Sequence, residues 1–210
     1  HPRERIAFME RHMPRTLAQA ALIITDSDFV RRELIEQLGV AATRIRTVPL
    51  GVEDRFHPYS PQELAPVLNR YALTNLAYLL VVATLEPRKN LPRLVDAYGR
   101  LPDALRQRHP LVIVGARGWL NEALEQRLEP LERDGQARRL GYIHQEDLPL
   151  LYAGAWAFAF PSIYEGFGLP VLEAMRSGLP VLTANSSSLP EIAGDAAILV
   201  APEDVAAITA

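Results

Sequence analysis

The 210-residue chain contains no cysteine. That excludes a disulfide framework and a thiolate metal site. Charge of neither sign dominates: 22 Lys and Arg stand against 25 Asp and Glu, for a net charge of -3. A dedicated nucleic-acid binder would normally be basic, so that class is disfavoured. No apolar run approaches the length of a membrane span, and no signal peptide is visible. No group of His, Asp and Glu has metal-ligand spacing, so no structural metal is expected. The sequence offers no Ser-His-Asp arrangement, no internal repeat and no low-complexity tract. The chain starts at His1 rather than at a methionine and stops at Ala210, just after an apparent helix start. It is therefore expected to be a natural or trimmed fragment.

What is present centres on Glu165-Gly166-Phe167-Gly168-Leu169-Pro170-Val171-Leu172-Glu173. Upstream, the apolar run 155–160 is bounded by Pro161-Ser162 and reads as a buried strand. Downstream, Leu169, Leu172, Ala174 and Met175 recur at helical spacing, with Pro170 early and Gly178 late. The pattern is strand, glycine-rich loop, helix. Backbone N–H groups of such a loop and the helix N-terminus can hold a phosphate. Glu173 falls about one turn into the helix. Glu165 lies in the loop and addresses a different part of the same ligand. A bare pair of carboxylates eight positions apart would ordinarily be a loop charge and a solvated helix face. The Gly-Phe-Gly-Leu-Pro insert after a buried strand makes this pair more specific.

The rest of the chain alternates strands and helices. Residues 2–20 read as an amphipathic helix with a kink or break at Pro14. A buried strand over 22–25, a helix over 28–38 capped by Ser27 and ended by Gly39, and a strand over 45–48 make one β-α-β unit. Residues 53–75 read as a linker with a short helix near 61–71. A second series follows. It has strands at 78–82, 111–114, 138–141, 155–160, 180–183 and 197–200, and helices at 91–101, 119–133, 147–153 and 169–177. Alternation of this kind implies a parallel, doubly wound sheet, and ligands of such sheets sit beyond the carboxyl ends of the strands. The loops 83–90, 115–118, 141–145, 161–168 and 184–188 would gather on that edge. Arg88-Lys89, alone an ordinary solvated basic pair, then faces the glycine loop and suits a diphosphate. Gly115-Ala116-Arg117-Gly118-Trp119 reads as a tight β-to-α turn, with Arg117 at the surface. Around Tyr142-Ile143-His144 a base can pack against the backbone, but a plain connecting loop explains the stretch as well. Ser186-Ser187-Ser188 reads as helix-capping.

The E-x7-E stretch, with Thr84-Leu85-Glu86-Pro87-Arg88-Lys89-Asn90-Leu91, resembles the retaining, nucleotide-sugar-dependent glycosyltransferases of the GT-B fold, the large group 1 family. Among these it is most like bacterial mannosyl- or hexosyltransferases of polysaccharide assembly. The resemblance implies a Rossmann-like C-terminal nucleotide-sugar domain over 76–210, truncated at its end. Residues 1–52 would be the last elements of an acceptor-side domain and the interdomain turn, with 53–75 a linker. It implies metal-independent transfer of a hexose from a nucleotide diphosphate sugar, such as GDP-mannose or a UDP-sugar, to a glycan or lipid-linked acceptor, with no further cofactor. Catalytic roles fall to Glu165, Arg88 and Lys89. Donor contacts fall to Glu173, Gly166, Phe167, Gly168, Leu169 and Ile143. Members of the family often place an arginine or serine several residues before the lysine, where Thr84 stands here; the division of labour between Arg88 and Lys89 is therefore open. The resemblance further implies a cytoplasmic location with peripheral contact at the inner membrane face, through the missing N-terminal part. The fragment alone is expected to be inactive. Two other classes share the architecture: nucleotide-sugar epimerases, and non-catalytic nucleotide-sugar-binding modules.

Overall fold

The structure, a computed structural model, describes residues 3–116, 118 and 122–210. It divides into two units, His1–Leu50 and Gly51–Ala210.

The first unit contains α1 (Arg3–Gln19), β1 (Ile23–Thr25), α2 (Asp28–Glu36), a 3-10 turn (Ala42–Arg44) and β2 (Ile45–Thr47). β1 and β2 pair in parallel, with Ile23 opposite Ile45 and Thr25 opposite Thr47. The expected β-α-β unit is therefore present. Ser27 caps α2: its hydroxyl accepts the Val30 N–H at 3.2 Å. α1 continues through Pro14, although proline there removes one backbone donor. The surrounding turn is exposed, so the carbonyl without a partner can turn to water. The expectation of a buried first strand fails. Leu22 is 53% exposed and Ile24 66% exposed, because alternation along the strand turns them away from the face that buries Thr25 and Ile45. Among the described hydrophobic residues of this unit only Val40 and Ile45 are buried.

The second unit contains α3 (Pro61–Arg70), β3 (Leu79–Val82), a 3-10 turn (Pro87–Lys89), α4 (Leu91–Gly99), α5 (Asp103–Arg108), β4 (Leu111–Val114), α6 (Glu122–Arg133), β5 (Ala137–Gly141), α7 (Leu148–Ala153), β6 (Ala157–Phe160), α8 (Leu169–Arg176), β7 (Val181–Ala184), α9 (Leu189–Ala193), β8 (Ile198–Val200) and α10 (Val205–Thr209). Its six strands lie in the order β5-β4-β3-β6-β7-β8, every pair parallel. This is the α/β, doubly wound architecture expected from the sequence. The chain starts at β3, works outward through β4 and β5, then returns to place β6 on the other side of β3. The sheet order reverses between β3 and β6, which makes that gap the topological switch point. Helices on both faces require strands apolar on both faces. β4 meets the requirement fully, with Leu111, Val112, Ile113 and Val114 all buried.

The stretch 53–75, expected as a linker, carries Phe56, Leu64, Val67 and Leu68 into the core of this unit. α3 begins with a capping box: Ser60 N–H donates to the Glu63 carboxylate at 2.9 Å, and Glu63 N–H donates to the Ser60 hydroxyl at 3.4 Å. The long helix expected from Trp119 begins at Glu122 among the described residues; Arg117 and residues 119–121 lie outside them. The loops after β3 and β4 touch backbone to backbone. Leu85 N–H donates to Ala116 O at 3.1 Å, and a Cβ on Gly115, whose φ is +149°, would lie 2.0 Å from Ala83 O. Only glycine fits there.

Candidate functional site

The loops that follow β3 and β6 meet at the switch point. The first winds into the 3-10 turn Pro87–Lys89, and Asn90 ends that turn at φ +60° before α4 starts. A left-handed residue here turns the chain sharply, and asparagine tolerates it. The Asn90 side chain uses the position: its amide donates to Pro161 O at 3.0 Å and to Pro202 O at 2.5 Å. Three chain segments are thereby tied together. The second loop carries Glu165 across to the first.

Glu165 is 8% exposed. One carboxylate oxygen accepts from Arg88 Nη1 at 2.7 Å. The other accepts from Lys89 Nζ at 2.6 Å and from the Ser162 hydroxyl at 2.6 Å. Arg88 also donates to Glu86 at 3.1 Å and to Tyr164 O at 3.1 Å. The Lys89 ammonium lies 4.8 Å from the Phe160 ring centre, within cation–π range. Two cations and two carboxylates thus form one ion-pair cluster. Burial lowers the Lys89 pKa, and Glu165 partly offsets the effect. For Arg88, burial opposes the charge, but Glu165 and then Glu86 outweigh it, and the pKa is raised. Glu165, Arg88 and Lys89, singled out separately by the sequence, therefore form one contiguous cluster.

A serine network fixes the loop that carries Glu165. Glu165 N–H donates to the Ser187 hydroxyl at 3.0 Å. The Ser188 hydroxyl lies 2.9 Å from Glu165 O and 2.6 Å from Phe167 O. Ser186 reaches Ile163 O at 3.0 Å. The expectation that Ser186 to Ser188 cap a helix is corrected here. Ser188 stands at the N-cap position of α9, but its side chain makes no capping bond. These hydroxyls, with Ser162, hold the Glu165 loop from below. Serines after a strand read equally well as caps, and only the sheet order puts the β7 loop beside the β6 loop. Ser162, three residues before Glu165, carries no signal of its own beyond that spacing.

Beyond Glu165, Phe167 is buried and Gly168 opens α8 at φ +122°. Pro170 removes one donor from the first turn. The N–H of Leu169 lies among the helix-start donors that have no intrahelical acceptor. This end of α8 faces the same edge as the Gly166–Gly168 loop.

Glu173 sits apart from the Glu165 cluster. It is partly buried on α8, and burial raises its carboxyl pKa; Tyr152 and Arg55 act in the opposite direction. Arg55 itself donates to Gln145 O at 3.2 Å and to Glu53 at 2.9 Å. Ile143 is 7% exposed and lines a cavity of about 270 Å³ with Tyr142, Gln145 and Leu148, between the ends of β4 and β5. His144 is exposed. Among the described residues, no three His, Asp or Glu side chains gather as they would around a metal ion, and no helix is long and apolar enough to cross a membrane.

The family model for glycosyl transferases group 1 matches residues 70–210. The chain belongs to this family. It is 47% identical, over all 210 residues, to O-antigen chain mannosyltransferase B of Escherichia coli, and covers 55% of that protein. It is also 36% identical over 164 residues, 75% of its length, to the serotype-specific mannosyltransferase WbdA of Escherichia coli, covering 20% of that longer protein. The group 1 chain thus spans about half the length of the first relative and a fifth of the second. In structure it resembles Anabaena HepE, solved in complex with UDP and glucose: the TM-score is 0.78 at 22% identity, over 90% of this chain and 51% of that one. A glycosyltransferase from Rickettsia africae gives a TM-score of 0.78 at 19% identity, over 100% of this chain and 55% of that one. At such identities these likenesses speak for the fold.

Proposed function

We propose that the chain is the donor-binding part of a hexosyltransferase that moves a hexose from a nucleotide diphosphate sugar to a glycan or lipid-linked acceptor, with retention of configuration. The observation that carries this reading is the joint placement of Arg88, Lys89 and Glu165 at the switch point, beside the N-terminus of α8. Mannose is the preferred hexose, because two relatives bear mannosyltransferase names. The donor is then GDP-mannose, with a UDP-sugar as the other candidate. Location at the cytoplasmic face of the inner membrane accords with O-antigen assembly in the first relative's name.

The chemistry follows from where charge develops. As the glycosidic bond to the donor breaks, negative charge grows on the leaving diphosphate. Arg88, Lys89 and the backbone donors where α8 begins, at Gly168 and Leu169, stand ready to stabilise it. Donors fixed before the reaction need no reorganisation during it, so they favour the transition state over the bound substrate. Two side-chain cations supply this charge without requiring a metal ion. In the unliganded protein Glu165 neutralises them. Once the diphosphate takes the cations, the Glu165 carboxylate is free to accept hydroxyls of the transferred sugar. Glu173, on the neighbouring turn, takes the ribose diol, and the base packs beside Ile143.

The test is a calorimetric titration of the chain with GDP, UDP and the corresponding nucleosides. The variant Arg88→Ala/Lys89→Ala should lose affinity for the diphosphate far more than for the nucleoside. Equal losses on both would show that the pair does not read phosphate. Product analysis with donor and candidate acceptors separates the classes: a glycoside marks the transferase, and free sugar marks an epimerase or hydrolase.

A further inference from the structure

Three buried tyrosines pack against the central sheet, and two of them have satisfied hydroxyls. Tyr78 donates to Leu151 O at 2.6 Å, and the Tyr98 hydroxyl lies 2.8 Å from Gln136 O. Tyr152, 0% exposed, has a hydroxyl that makes no hydrogen bond. A buried hydroxyl without a partner is a cost that phenylalanine would avoid. The ring cannot swing away to find one. Phe56 meets it edge-on at 5.7 Å and Phe158 lies against it at 5.3 Å. α7, which carries Tyr152, packs on α8, which carries Glu173, and Glu173 is the charged group that acts on the hydroxyl.

We propose that Tyr152 is a positioning residue: its hydroxyl closes onto Glu173 when a nucleoside diphosphate arrives and fixes the carboxylate in the orientation that receives the ribose hydroxyls. The inference rests on the reading of Glu173 as the ribose anchor. One oxygen of the carboxylate takes the tyrosine O–H from inside the protein. The other is left for the ligand. Arg55, tethered to Gln145 O and Glu53, adds positive charge near the same group. A carboxylate with a donor behind it stays charged and oriented in a setting that otherwise disfavours its charge. The sugar-contacting Glu165 cluster is separate, so the role concerns the nucleoside and not the phosphates.

The experiment uses the 210-residue chain and measures, by calorimetry, the affinity for GDP or UDP, whichever binds, and for its 2′,3′-dideoxy counterpart. The parent chain should prefer the ribonucleotide by about tenfold or more, the factor expected from a hydrogen bond to a charged group. Tyr152→Phe should weaken ribonucleotide binding several-fold, leave the dideoxy affinity in place and so shrink the ratio. Because the hydroxyl has no partner in the unliganded protein, the variant should melt no lower than the parent. Glu173→Gln should remove the preference, and adding Tyr152→Phe to it should then change nothing, since the hydroxyl acts through the carboxylate. Tyr152→Phe with an unchanged ratio, while Glu173→Gln abolishes the preference, overturns the inference and spares the ribose reading. A parent chain that does not distinguish the two nucleotides overturns both. A proportional loss for both nucleotides with a lower melting temperature marks a purely structural tyrosine and also overturns the inference.

Discussion

Glu165 is held by two cations and a serine hydroxyl at once, and its own side chain is nearly buried. Removing one partner of a buried ion pair leaves an uncompensated charge, at a cost of about 3–5 kcal/mol. Glu165→Gln should therefore lower the unfolding free energy by up to about that amount, as read by urea denaturation. Saturating GDP should restore much of the loss, because the diphosphate then supplies the missing anion to Arg88 and Lys89. A variant as stable as the parent, or one that GDP does not rescue, would show that the cluster is not poised for an anion. Glu173 gives a second expectation, with the opposite sense. Burial raises its folded-state pKa above the ordinary carboxylate value that applies in the unfolded chain. Between those two values the native state binds the proton more tightly, so stability falls as pH rises through the window. Above the raised value the penalty is complete. Glu173→Gln should thus be more stable than the parent near neutrality, and the difference should fade as pH falls through the raised value to the ordinary one. Denaturation midpoints at neutral and mildly acid pH decide the point. These residues were legible because a motif places them. The serines that brace Glu165 were not, because their meaning depends on the β7 loop lying beside the β6 loop, a fact of sheet order.

Among the elements, the strands of the second unit were plain in the sequence. A parallel strand buried on both faces is an unbroken apolar run, as in Leu111–Val114 and in the run that ends at Phe160. α5 went unseen, since Asp103–Arg108 is too short to display a helical period. The helix expected near 61–71 is present as α3, but the linker reading of 53–75 missed its core residues, because Phe56, Leu64 and Val67 are interspersed with prolines at 58, 61 and 66. Proline there starts α3 and sits inside it without unseating the helix. α8 is the element on which the site depends most directly. Gly168 opens it at φ +122°, and a Cβ at that position would lie 2.9 Å from the buried Leu189 side chain. Gly168→Ala should cost about 1–3 kcal/mol in backbone strain alone. The same change should weaken diphosphate binding by displacing the N-terminal donors. Chemical denaturation and a GDP titration of one protein sample test both; a variant indistinguishable from the parent would show that the turn is not constrained.

For the whole molecule, the hydrophobic core lies entirely within the second unit, from Phe56 to Ile208. The candidate site lies there too. The first unit has two buried hydrophobic residues among those described. A chain limited to residues 51–210 should therefore unfold cooperatively and bind GDP or UDP with the affinity of the 210-residue chain, as calorimetry would show. Loss of cooperative unfolding would mean that the core needs the preceding residues.

The position of β3 in the middle of the sheet also dictates how the protein comes into being. Leu79 pairs with Leu111 on one side and with Ala157 on the other. On a ribosome, β3 emerges and can recruit β4 early, but its second neighbour follows roughly 80 residues later. At typical synthesis rates that gap amounts to about 4–16 s. Throughout it, the apolar strand Leu79–Val82 presents an open edge, the kind of surface that invites unwanted pairing. Arg88 and Lys89 have by then left the ribosome without their carboxylate partner. The crevice at the switch point is thus not built gradually: it comes into existence when β6 docks, and the nascent chain is most dependent on chaperone cover just before that moment.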